Sequence, residues 1–281
     1  MEKTSFLLSM MVAAAFAATA SIAQADESAS LEIEGETFVT KTKAPAHAEN
    51  LDEIYSGWVF RADETQTLQT DDFDNPGFVF VDTAMDLYEE VDGTADKACS
   101  SCHENVEDFK GLRAAMPRVK DGKVQTMEEI INNCRTEHMG AKAWKWSGTQ
   151  MSSMVAYIGL QSRGMPVKVA IDGDAKPIWE QGKKLYYSRF GQLDMACSNC
   201  HEDNYGNMIR ADHLSQGQIN GFPTYRLKNA KLNSIHGRFK GCMKNIRAEP
   251  FKEGSDEFKA LQLYLASRGA GLTVETPSVR N

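Results

Sequence analysis

One eighteen-residue stretch occurs twice in this 281-residue chain, and no other feature constrains the fold as much. Leu87 to Glu104 matches Leu185 to Glu202 at a constant offset of 98, with ten of the eighteen positions identical. A second match lies downstream, where Tyr157 and Ser162-Arg163-Gly164 resemble Tyr264 and Ser267-Arg268-Gly269. Duplication of one module of about 80 to 100 residues accounts for both matches. The expected modules are 84–166 and 178–281, joined by a linker at 167–177 that is rich in Asp, Gly, Lys and Pro. Residues 26–83 are read as an N-terminal extension packed on the first module.

Each copy centres on a C-x-x-C-H pentapeptide, Cys99-Ser100-Ser101-Cys102-His103 and Cys197-Ser198-Asn199-Cys200-His201. This is the attachment signature of c-type haem: two thiols add across the porphyrin vinyl groups, and the adjacent His reaches the iron. Zinc half-sites and redox dithiols use the same cysteine spacing. Zinc sites bring their cysteine pairs closer in sequence, and a redox Cys-x-x-Cys expects a thioredoxin-like βαβ pattern that is absent here. The pattern predicts two covalently bound c-type haems.

The modules read as helical, so the expected fold is mainly α: two tandem cytochrome c-like haem modules with an N-terminal extension. Apolar-rich runs from Val81 to Val91 and Ile178 to Phe190 lead into the cysteines. Met151, Met154, Val155 and Ile158 fall at helical spacing, as do Phe258, Leu261 and Leu265. Gly164 and Gly269 are placed to stop these helices. Thr126-x-x-Glu129 resembles a capping box opening the helix that leads to Cys134. In the extension, 52–60 is predicted as helix and 78–81 as a short strand.

The net charge of −8 argues against nucleic acid as main partner, since phosphate binding needs a basic footprint. Residues 1–25 read as a secretory signal peptide: Lys3, then a mostly apolar run from Phe6 to Ala20, then Ala23-Gln24-Ala25 as cleavage site. A membrane anchor is the alternative for this segment. No later stretch approaches the ~18 apolar residues a spanning helix needs. The expected location is the periplasm, an oxidising compartment.

Two further cysteines remain, Cys134 and Cys242, lying 35 and 45 residues after the first haem cysteine of their modules. That is where a distal iron ligand would come from. A Cys134–Cys242 disulfide is the alternative for an exported protein, and Met139, Met208, Met243, His138, His213 and His236 are rival ligands. The two cysteines sit in different surroundings. From Tyr225 to Arg247 there are seven basic residues (Arg226, Lys228, Lys231, Arg238, Lys240, Lys244 and Arg247) and no acidic one. Around Cys134, Glu128, Glu129 and Glu137 outnumber Arg135. The basic run is either a solvated docking face or an anion site. In the second case cationic neighbours would make Cys242 reactive and Cys134 only a ligand.

The two CxxCH motifs, the two extra cysteines and the run Gly237-Arg238-Phe239-Lys240-Gly241-Cys242-Met243 resemble the SoxA family, dihaem subunits of the bacterial thiosulfate-oxidising Sox system. The resemblance extends to Asp71-Asp72-Phe73-Asp74-Asn75-Pro76-Gly77 before the first module. It implies an L-cysteine S-thiosulfotransferase: thiosulfate is joined oxidatively to a cysteine of a SoxYZ-type sulfur carrier, giving a cysteine S-thiosulfonate. It also implies a monohaem SoxX-like partner and a downstream cytochrome c acceptor. By position, Cys242 matches the family's reactive haem-ligating cysteine, found as a persulfide. Arg238 matches its substrate-binding arginine and Cys134 its other haem thiolate. Lys240 is expected to help Arg238 hold the dianion. The competing functions are a dihaem electron carrier with a basic docking face and a haem-based sensor.

Overall fold

The computed structural model describes residues 30–210 and 212–281; the expected signal peptide at 1–25 lies outside them. Eight α-helices occur in the described residues: α1 (Asp63–Thr67), α2 (Phe78–Glu89), α3 (Met127–Asn133), α4 (Thr149–Leu160), α5 (Lys176–Tyr187), α6 (Cys197–His201), α7 (Ile235–Asn245) and α8 (Asp256–Arg268). Strands are short. Antiparallel pairs form between β1 (Leu31–Ile33) and β2 (Glu36–Phe38), β3 (Lys41–Lys43) and β4 (Glu53–Tyr55), β5 (Arg118–Lys120) and β6 (Lys123–Gln125), and β7 (Met208–Ile209) and β8 (Asp212–His213). β9 (Thr224–Arg226) is the centre of the one three-stranded sheet among the described residues. It pairs antiparallel with β10 (Lys231–Asn233) and parallel with the terminal β11 (Ser278–Arg280), Tyr225 lying opposite Leu232 and Val279.

Each half of the chain is a helix crossing. α2 packs on α4 and α5 packs on α8. The repeated tyrosines form the two crossings: Tyr88 meets Tyr157 with ring centroids 5.7 Å apart, and Tyr186 meets Tyr264 at 5.4 Å. The predicted apolar stripes are buried, with Met151, Met154, Val155 and Ile158 in one core and Phe258, Leu261 and Leu265 in the other. Thr126 accepts a hydrogen bond from the Glu129 N–H at 3.3 Å, half of the expected capping box. The Glu129 carboxylate turns away to pair with Lys259 at 3.2 Å.

Two local expectations are corrected. Phe78–Val81 is the first turn of α2 and not a strand. Its aromatic and β-branched residues suit a pleat, but Val81, Ala84 and Tyr88 fall on one helical face and bury it, so packing overrides propensity. The 52–60 segment contains β4 and turns in place of a helix. Distant partners hold it extended: Tyr55 N–H donates to Gln216 Oε1 at 2.8 Å, and Ser56 N–H to Thr40 O at 2.7 Å. The extension as a whole reaches both halves. Asp72 pairs with Arg163, while Glu49 pairs with Lys183 and Arg61 with Asp212.

The hairpin before each haem motif closes on the segment that carries the third cysteine. Ala95 N–H donates to Met139 O at 3.0 Å, and Leu193 N–H to Ile246 O at 3.3 Å. The repeated glycine permits this. Gly93 and Gly191 have φ of +80° and +69°, and an added Cβ would lie 2.2 Å from the Met139 and Ile246 carbonyl oxygens. The expected joint is itself tied down, since Val167 N–H donates to Leu272 O at 2.8 Å and Gly271 N–H to Val167 O at 3.0 Å.

A polar and aromatic seam joins the halves. Buried Arg113 donates to Ile219 O at 2.9 Å and to Phe222 O at 3.2 Å. Trp146 stacks on His236 of α7, centroids 5.2 Å apart and planes 11° apart. His236 Nδ1 accepts from the Gly254 N–H at 3.0 Å.

Two predictions follow from this packing. Gly191→Ala meets both the positive φ and the backbone contact, so it should destabilise the holoprotein by at least about 1 kcal/mol, read as a lowered unfolding midpoint. Burial holds the His236 imidazole down to about 3, well below its ordinary 6.5. In that interval the unfolded chain binds the extra proton, so the stabilisation is full above pH ~6.5 and is lost as pH falls through ~3. The melting temperature should fall on moving from neutral pH to pH ~4. His236→Gln should lower it at neutral pH and flatten the dependence.

Candidate active site

A single helical turn sets the geometry of each CxxCH motif. Cysteines at i and i+3 and the His at i+4 share one face. In the second half this turn is α6, entered by a bond from Ala196 N–H to Asn199 Oδ1 at 2.9 Å. In the first half Ala98 N–H donates to Ser101 Oγ, also at 2.9 Å. Ser101 and Asn199 hold the same place in the repeat, so a variable position of the motif caps the turn in both halves. His103 N–H donates to Cys99 O at 3.0 Å, and its own carbonyl accepts from Tyr88 Oη at 2.5 Å.

The third cysteines arrive by equivalent routes. α3 runs into a wide turn from Cys134 to His138, which ends against the Gly93 hairpin. α7 carries Cys242 near its end and stops against the Gly191 hairpin. Cys134 comes within electrostatic reach of Cys99 and Cys102, and Cys242 within reach of Cys197 and Cys200. All six are free thiols, so the alternative Cys134–Cys242 disulfide is not formed. Among the rival ligands, Met139 is buried, Met208 is exposed, and His236 is packed between aromatic rings.

His201 is held from behind. Its Nδ1–H donates to Ser215 O at 2.7 Å, which orients the ring and turns Nε2 to the other side. Gly217 passes so close that a Cβ there would lie 3.0 Å from the ring. The Cys242 sulfur is hydrogen-bonded to the same imidazole. Two thiols one turn apart, an imidazole anchored through Nδ1 and a nearby third thiol fit covalent haem, which Cys197 and Cys200 would attach and His201 and Cys242 would ligate.

Electrostatics separate the two third cysteines. Burial pushes the Cys134 thiol up, only partly offset by Arg135. Burial also acts on Cys242, but the charge of Arg238, the His201 hydrogen bond and charge, and the charge of Arg226 outweigh it and bring the thiol down to about 7. Lys240 stands apart from this group, its Nζ 3.0 Å from Glu253 Oε1. Arg226 belongs to the basic run but sequence reading assigned it no role. Arg61 was missed altogether. It comes from the extension and donates to His213 O at 2.7 Å. Burial and the charges of Arg280, Arg238 and Arg226 lower its guanidinium to about 9. Only the folded chain brings it there, and no local motif marks it.

The chain matches known proteins over most of its length. The family described as SoxA/TsdA, cytochrome c domain, matches residues 83–167 and 181–274. The L-cysteine S-thiosulfotransferase subunit SoxA of Rhodovulum sulfidophilum is 56% identical over 256 residues, covering 89% of each chain. That of Paracoccus pantotrophus is 57% identical over 247 residues, 87% of this chain and 85% of the relative. The crystal structure of SoxXA from P. pantotrophus superposes with a TM-score of 0.86 at 55% identity, covering 90% of this chain and 97% of that one. A helical fold with two CxxCH turns and matches over most of the chain lead to one conclusion: this chain belongs to the SoxA/TsdA cytochrome c family.

Proposed function

We propose that the protein is the SoxA-type subunit of an L-cysteine S-thiosulfotransferase and that Cys242 is its sulfur-handling residue. The observation that carries this reading is the placement of Cys242, brought by α7 within electrostatic reach of Arg238, Arg226 and His201 and of the motif thiols Cys197 and Cys200. Thiosulfate is a dianion, and Arg238 and Arg226 supply the fixed positive charge to hold it beside that sulfur. Lys240, tied to Glu253, is left a lesser part in binding it.

The net reaction joins a carrier cysteine to thiosulfate: R–SH + S2O3(2−) gives R–S–SSO3(−) + H(+) + 2 electrons. Haem held at Cys197, Cys200 and His201 supplies a one-electron acceptor and an iron that keeps a coordinated thiol deprotonated. Ser215 orients His201, Cys242 would present its sulfur to the site, and the arginines would orient the anion. Cys99, Cys102 and His103 would hold a second haem, with Cys134 as its distal thiolate. Two electrons per turnover require a further one-electron acceptor. Together with the SoxXA relative, this supports a SoxX-like monohaem partner, a SoxYZ-like carrier as thiol substrate and a cytochrome c beyond them. The signal-like first 25 residues support export to the periplasm.

Intact mass of the denatured protein should report two haems; a mass with none or one would overturn the two-haem reading. Cys242→Ala should abolish thiosulfate-dependent cytochrome reduction in the reconstituted system while haem content survives. Arg238→Ala should weaken thiosulfate use by roughly ten- to a hundredfold, the loss of a charge-assisted bond worth about 1.5–3 kcal/mol. Near-normal turnover in Cys242→Ala would leave an electron carrier as the better description.

A further inference from the structure

The two halves of the duplication part company directly behind the haem-motif histidine. The residue after each His is glutamate, Glu104 and Glu202, and each module ends its last helix region with Ser-Arg-Gly, supplying Arg163 and Arg268. In the first half these residues do not meet. Glu104 is exposed, and Arg163 reaches Asp72 of the extension through both Nη atoms, at 2.5 and 2.8 Å. In the second half they form a buried pair. Arg268 Nη1 donates to Glu202 Oε1 at 2.5 Å, with side-chain exposures of 0% and 2%.

The carboxylate is fully engaged. Tyr187 Oη donates to Glu202 Oε1 at 2.9 Å and Asn50 Nδ2 to Oε2 at 2.7 Å. The guanidinium lies 4.6 Å from the Tyr186 ring centroid and 5.9 Å from that of Tyr264. A buried ion pair adds little net stability over apolar side chains of the same volume. What it does supply is a carboxylate one residue along the chain from His201 and a guanidinium held on it, both screened from water.

We propose that Glu202 and Arg268 are positioning residues that hold the reduction potential of the haem at His201 by balance, each buried charge offsetting the other, a pairing the first module does not make. The inference rests on the reading that His201 ligates that haem. The two charges act in opposite senses on electron uptake. Removing the carboxylate leaves a guanidinium that favours the reduced haem. Removing the guanidinium leaves a carboxylate that disfavours it.

The test is a spectropotentiometric titration of the holoprotein and of its Glu202→Gln, Arg268→Gln and doubly substituted variants. Glu202→Gln should raise the potential of the second haem and Arg268→Gln should lower it. The double variant should return towards the unsubstituted value, and the first haem should stay put throughout. Shifts in the same direction from both single variants, as a loosened and wetter site would give, overturn the proposal, and so does no shift. If the charge variants lose the second haem, Tyr187→Phe keeps both charges but strips one hydrogen bond from the carboxylate. It should lower the potential, and an unmoved potential there overturns the proposal too. An unsubstituted protein whose mass shows no second haem would defeat the ligation reading instead.

Discussion

Each module depends on a backbone contact that leaves no room for a side chain. Gly93 lies against the Met139 carbonyl and Gly191 against the Ile246 carbonyl, both with positive φ. Main-chain hydrogen bonds cross at the same points. The contact pins the CxxCH hairpin to a segment that begins a third of a module or more further on, and it delivers a third cysteine to each motif. Any residue with a Cβ would push the two backbones apart and carry that sulfur away from the imidazole. The rest of the site is built on this closure.

The same scaffold then holds two different thiol environments. In the first half desolvation dominates and Cys134 is pushed up. In the second half desolvation acts too but is overcome by Arg238, His201 and Arg226. The positive field has more than one source in the chain. Arg226 comes from β9, Arg238 from α7 and Arg61 from the extension, with Asp212 and Glu275 pairing some of the surrounding charge. Burying a guanidinium among like charges costs energy, which the lowered Arg61 records. Carbonyls hold Arg61 and Arg226 in place, His213 O and Asn281 O, and the carboxylates of Asp212 and Glu275 hold Arg61 and Arg280.

The helix that carries Cys242 is positioned from the other module. Trp146 stacks on His236, and Ser147 Oγ meets Ser234 Oγ at 2.5 Å at the α7 N-terminus. Arg113 fastens the loop before β9 through two carbonyls. One half therefore serves as a platform for the other. This gives the first module a structural part in the site whatever electrons pass through it.

The sequence by itself determined the duplication, the two haem motifs, the helical stripes and the basic setting of Cys242. These are written in local spacing: i, i+3 and i+4 along one turn, an apolar period along one helix, seven cations in one run. The tertiary structure alone decided what depends on distant partners. Val81, Ala84 and Tyr88 turned an apparent strand into helix because α4 lay beside them, and Gln216 and Thr40 held an apparent helix extended. Arg61 entered the cationic cluster from 181 residues before Cys242, and Lys240 was drawn to Glu253. Arg268 turned inward to Glu202 while its repeat counterpart Arg163 turned outward to Asp72. Identical motifs diverged there because charge pairing depends on what the fold packs alongside, and no short-range pattern encodes that neighbour.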